Sequence, residues 1–119
     1  MSTTEIDPAE VVRYDGPLRF IVRSRTDAHA AHLVELSDYE GNGRCSCEDF
    51  RFRLEPLLRR MITPEQAIAQ KIVRMKPGQR TADSLRCFHI LEARDRFCSD
   101  VIKAMADAEL AHGGKNRIA

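Results

Sequence analysis

The sequence predicts an α+β fold: an antiparallel β-hairpin followed by helices, the two parts joined by one cluster of metal-ligating side chains. Three observations predict it. Apolar and polar residues alternate over residues 18–25 and again over 32–37, which is the period of strands. Two later segments open with helix-entry signals and continue with apolar residues at helical spacing. Around them stand Cys45-Ser46-Cys47 and Cys87-Phe88-His89. Each pair has one residue between its ligating members, and together they offer three thiols and one imidazole, a tetrahedral ligand set for a structural zinc ion, Zn2+.

Taken in order, residues 1–6 show no periodic pattern and are expected to be disordered. Asp7-Pro8-Ala9-Glu10 carries the signals of a short helix start, with Asp as cap and Pro at the first helical position. Asp15-Gly16-Pro17 marks a turn. In the first strand Leu18, Phe20 and Val22 alternate with Arg19, Ile21 and Arg23. Residues 26–31 connect it to the second, and a short connection makes an antiparallel hairpin the simplest pairing. Glu40-Gly41-Asn42-Gly43 has the residue types that accept positive φ, and it delivers the chain to Cys45.

After Cys47 the pattern is ambiguous. Phe50, Phe52 and Leu54 alternate like a strand, whereas Leu57, Leu58, Met61 and Ile62 are spaced like a helix, with Pro56 tolerable only near its start. Thr63-Pro64-Glu65-Gln66 is a capping box; Ile68, Ile72 and Met75 follow on one face, and Lys76-Pro77-Gly78 ends that helix. Asp83 or Ser84 can cap a last long helix running to about Ala111, with Leu91, Cys98, Val101, Ile102 and Met105 as its apolar stripe. His112-Gly113-Gly114 should stop it. Cys87 and His89 must lie at or before its first turn, because residues two apart inside a helix diverge by about 200° and cannot share an ion.

Bulk properties bound the function. A chain of 119 residues forms one domain with a modest core. It has no Trp, so a bound metal would add useful support. No stretch approaches the length of a membrane span. The first ten residues are polar and acidic, unlike a secretory leader. The expected location is therefore cytoplasmic, where thiols stay reduced and four cysteines point to metal or redox chemistry rather than disulfides. P-loop, dinucleotide-binding, nucleophile-elbow and zinc-protease motifs are absent, so neither enzymatic activity nor a small-molecule substrate is expected.

The net charge of +1 hides an uneven layout: residues 1–43 sum to −4, 44–86 to +5 and 87–119 to zero. Within the basic stretch Arg51, Arg53, Arg59, Arg60, Arg74 and Lys76 are candidate phosphate contacts, and Phe50 or Phe52 can stack on bases if exposed. Against these stand plainer expectations. A charge run is commonly a solvated face, Cys98 falls where core packing is expected, and His29 and His32 share an H-x-x-H spacing by chance.

The ligand motifs carry a resemblance. A Cys-x-Cys knuckle after a β-hairpin, continuing Cys45-Ser46-Cys47-Glu48-Asp49-Phe50, then Cys87-Phe88-His89-Ile90-Leu91 opening a helix, resembles the SWIM zinc-finger family over roughly residues 18–105. The resemblance implies a ββα-type zinc finger that binds nucleic acid or protein, with a structural metal held by Cys45, Cys47, Cys87 and His89. One departure is plain: 39 residues separate Cys47 from Cys87, a far longer gap than the family usually shows. The expected organisation is an N-terminal arm over residues 1–17, one zinc-binding domain over 18–111 with a basic helical insert at 51–83, and a C-terminal tail at 112–119. The leading functional expectation is contact with DNA or RNA through that insert. A protein-interaction adaptor is the alternative, and a thiol-dependent enzyme the third. Oligomeric state is not readable from the sequence.

Overall fold

The computed structural model describes residues 11–24 and 30–116; the expected disorder and helix start within residues 1–10, and His29, lie outside them. Four strands form one antiparallel meander in chain order: β1 (Val12–Tyr14), β2 (Arg19–Arg23), β3 (Ala31–Glu35) and β4 (Arg44–Cys45). The predicted hairpin is β2–β3, with Phe20 opposite Val34 and Val22 opposite His32. Sequence reading missed both outer strands. β1 and β4 are three and two residues long, too short for alternation to register, and it is pairing to the hairpin that makes them strands.

Partners across a sheet share a face. Tyr14, Phe20, Val34 and Cys45 therefore form one cross-strand row, and Val12, Val22 and His32 the next on the same side. This face is the inner one: Phe20, Val22 and Val34 are fully buried. The outer face carries the Arg19–Glu35 ion pair at 3.2 Å.

The ambiguous segment after Cys47 is helical, not a strand. It runs as a π-helical turn over Phe50–Leu54, then α1 over Glu55–Arg59. Pro56 accounts for the wide turn. It has no N–H to return to residue 52, and in a regular α-helix its ring would crowd that carbonyl. Instead the Glu55 N–H reaches back five residues to the Phe50 carbonyl.

Helix α2 (Pro64–Ala69) opens with the predicted capping box. The Gln66 N–H donates to Thr63 Oγ1 at 3.1 Å and the Thr63 N–H to Gln66 Oε1 at 3.0 Å. It ends earlier than predicted, because Lys71 turns to φ +58°, so Ile72 and Met75 fall outside it. A 3-10 turn over Thr81–Leu85 follows, and α3 begins only at Phe88. It then runs 29 residues to Asn116. The expected stop at His112-Gly113-Gly114 does not hold. Glycine lowers helix stability by about 1 kcal/mol relative to alanine but does not forbid the conformation.

α3 lies on the inner face of the sheet. Ile90 and Ala93 are fully buried, and Phe97 meets Phe20 edge-on with ring centroids 6.5 Å apart. Leu54, Leu57, Ala67 and Val73 join the same core, so the stretch between the two ligand pairs packs into the domain. The predicted stripe beyond Phe97 is not core: Cys98, Val101, Ile102 and Met105 are exposed, because the sheet ends before they do.

Candidate metal centre

The two ligand pairs arrive on different elements. Cys45 ends β4 in the row of Phe20 and Val34, facing inward. Ser46 pins the knuckle to β3, its Oγ accepting from the Leu33 N–H at 2.9 Å while its own N–H donates to the Leu33 carbonyl at 3.0 Å. Cys47 enters the helical turn. Cys87 sits just before α3 and His89 in its first turn, at the not yet regular helix entrance that the one-residue spacing requires.

The loop before β4 fixes the two pairs against each other. Asn42 is buried, and its Nδ2 donates to the Gly43 carbonyl at 3.0 Å and the Leu85 carbonyl at 3.1 Å. Arg86 donates through Nε to the Asn42 carbonyl at 2.9 Å, and Arg94 through Nη1 to the Gly41 carbonyl at 3.2 Å. The bonds involving Leu85, Arg86 and Arg94 tie the approach to Cys45 to the segment carrying Cys87 or to α3. Tyr39, Glu40, Gly41 and Gly43 all have positive φ; Asn42, though suited to it, does not.

The ligand atoms of Cys45, Cys47, Cys87 and His89 lie within 4.8 Å of one another, with the three cysteines buried and His89 half-buried. His89 Nδ1 is 3.7 Å from Cys45 Sγ and 3.9 Å from Cys87 Sγ. A tetrahedral site with metal–sulfur bonds of about 2.3 Å and metal–nitrogen bonds near 2.0 Å has S···N edges of about 3.5 Å. The observed edges are close to that, so this set of three sulfurs and one nitrogen can hold a metal ion. Its four positions are all filled by protein, which leaves no place for a reacting water.

Without a metal the cluster reorganises its protons. Cys47 is driven well below the usual thiol range, first by hydrogen bonds from the Cys45 and Cys87 thiols. The Phe50 N–H also donates to its sulfur, at 3.3 Å. Cys45 is driven upward, chiefly because its proton is held by Cys47 and Cys87. His89 is pushed up to about 9 by its hydrogen bonds to Cys47 and Cys87. The lowered Cys47 and raised His89 both favour the charged forms side by side, and a divalent cation would displace protons on binding.

One residue of the site escaped sequence reading. The His32 ring lies against that of His89, centroids 4.4 Å apart. The signal was its position in β3, two residues before inward-facing Val34, rather than its spacing from His29.

The six candidate phosphate contacts of the basic stretch are Arg51, Arg53, Arg59, Arg60, Arg74 and Lys76. Five of them are exposed and Lys76 is exposed with them at the end of the segment. They are not equally available. Arg53 is held by Asp49 at 2.8 Å and Arg59 by Glu55 at 3.7 Å. Arg60, Arg74 and Lys76 have no ion-pair partner among the described residues. Phe52 is 71% exposed and the Arg51 guanidinium lies 5.6 Å from its ring centre, whereas Phe50 is fully buried.

Among the described residues no helix is long and apolar enough to cross a membrane. An antiparallel sheet and a helix entrance that together present three thiols and an imidazole define a module able to hold a metal ion. Set against known protein families, curated proteins and solved structures, the chain matches none.

Proposed function

We propose that the chain is a zinc-binding module of the SWIM type with a structural ion, and that it contacts nucleic acid through the surface next to that ion. The convergence of Cys45, Cys47, Cys87 and His89 within 4.8 Å carries the reading. Zinc is favoured over other divalent ions because it takes thiolate and imidazole together in tetrahedral geometry without redox chemistry. The ligand order keeps the resemblance, while the packing of Leu54, Leu57, Ala67 and Val73 into the core explains how so long an insert is carried.

The nucleic-acid part rests on Phe52, an exposed aromatic beside Arg51, with Arg60, Arg74 and Lys76 as exposed cations of the same segment. Exposed aromatics among cations suit stacked bases and a tracked backbone. The direct test is binding of labelled single- and double-stranded oligonucleotides across a range of salt. Affinity should fall steeply with salt, and Arg60→Ala with Arg74→Ala should reduce the slope by about 0.7 per lost contact on single strands or about 0.9 on duplex. No binding, or binding indifferent to salt, would overturn this part and leave the metal reading to stand on elemental analysis.

A further inference from the structure

The outer half of α3 has nothing to rest on among the described residues. Beyond Asp100 every described side chain up to Leu110 is exposed. Val101 is 38% exposed and Ile102 and Met105 are each 67% exposed. An isolated helix of that length is marginal in water, so packing against a partner would stabilise it.

The exposed residues are ordered. Cys98, Val101, Ile102 and Met105 follow the i, i+3, i+4, i+7 spacing of a single stripe. Arg94 lies four residues before Cys98 and Glu109 four after Met105. The spacings therefore read the same from either end, and the flanking charges are opposite. Lys103 and Asp107, both exposed, lie on the side of the helix away from the stripe.

A pattern with this symmetry is its own complement under an antiparallel two-fold axis. We propose that this face of α3 docks a second copy of the chain, antiparallel. Val101 meets the partner's Ile102, Cys98 meets the partner's Met105, and Arg94 meets the partner's Glu109. A parallel arrangement would set like charges against each other at both ends, so the charges select the direction.

A second observation fits the same register. A hollow of 240 Å³ lies beside the stripe, lined in part by Leu18, Leu36, Phe97 and Cys98. The residue that faces Cys98 is the partner's Met105, a flexible thioether suited to filling an irregular apolar hollow.

The test is sedimentation velocity of the full-length, metal-loaded chain over a wide concentration range. The expected species is a dimer of twice 13.5 kDa. Met105→Glu and Glu109→Arg should each raise the dissociation constant by about tenfold or more. Both positions are exposed, so metal content and helicity should not change. The exchange Arg94→Glu with Glu109→Arg should restore dimerisation to within about threefold of the parent. Arg94 also bonds to the Gly41 carbonyl, so if the exchange fails to fold, the two exposed variants decide alone. A monomer at all concentrations overturns the proposal, as does a dimer indifferent to both exposed variants. A folded exchange variant that stays monomeric overturns the register.

Discussion

Cys45 Sγ and His89 Nδ1 stand 3.7 Å apart although they lie 44 positions apart in the chain. A common ion would make that approach favourable for a buried thiol and an imidazole brought together from β4 and α3. One ion per chain is therefore expected by elemental analysis, and Cys87→Ser should lose it. Removal should cost a large part of the folding free energy, since structural zinc contributes on the order of 10 kcal/mol in small zinc-finger peptides. The ligands bind as thiolates and neutral imidazole, and His89 begins near 9 without metal. Binding must release protons, so affinity rises with pH and weakens as pH falls. Competition against a chromophoric chelator at several pH values checks the sign; an affinity that does not change with pH would sink this account of the cluster.

Gly43 leads the chain into β4 and Cys45 with φ +98°, and a Cβ there would lie 2.9 Å from Ile90 Cγ2. Ile90 is fully buried in the first turns of α3 and cannot yield. Gly43→Ala combines backbone strain with a clash between the two elements that carry the ligands. It should cost about 2–4 kcal/mol and weaken metal binding as well. Gly41→Ala is the control: it has positive φ but nothing within 4 Å of the added Cβ, so it should cost less. Chemical denaturation of both variants distinguishes them, and equal losses would remove the role assigned to Ile90.

The four residues of the cluster were legible because their spacing is chemistry, and chemistry does not depend on the rest of the fold. The hairpin was legible through Phe20, Val22 and Val34, and α2 through its capping box. What could not be read is what neighbours decide. Val12 and Cys45 lie in strands only because β2 and β3 offer edges to pair with. His32 is part of the site because Val22 stands opposite it. Cys98 keeps helical periodicity where the sheet no longer reaches, so periodicity alone placed it in a core that ends at Phe97.

Phe50 and Phe52 have the same residue type and near-identical surroundings in sequence, and opposite fates. Phe50→Ala should cost about 3–5 kcal/mol as a fully buried ring is lost. Phe52→Ala should leave stability within about 0.5 kcal/mol, since its ring is mostly in solvent. If bases stack on Phe52, the same change should weaken oligonucleotide binding by about 1–3 kcal/mol. Denaturation and binding titrations on the two variants separate core from surface; a Phe52→Ala protein that binds like the parent removes Phe52 from the interface.

Tyr14 and Asp100 form the outermost tie between the sheet and α3. Tyr14 Oη donates to Asp100 Oδ2 at 2.7 Å, and Arg96 donates to the same oxygen at 2.9 Å while its Nη1 reaches the Val12 carbonyl at 2.7 Å. The bond from Tyr14, then that from Arg96, holds the Asp100 carboxyl below its ordinary range. Its contribution is thus present above the unfolded-state value, about pH 4, and is lost as pH falls through the lower folded-state value. Tyr14 is shifted upward, first by burial and then by its bond to Asp100. Its contribution is present below about pH 10 and is lost as pH rises through the higher folded-state value. The stability gap between the parent and Tyr14→Phe should therefore be flat between those limits and close on both sides. Urea midpoints measured across pH test it. A gap that keeps its full size in strong acid would show that the Tyr14 hydroxyl contributes independently of the charge on Asp100.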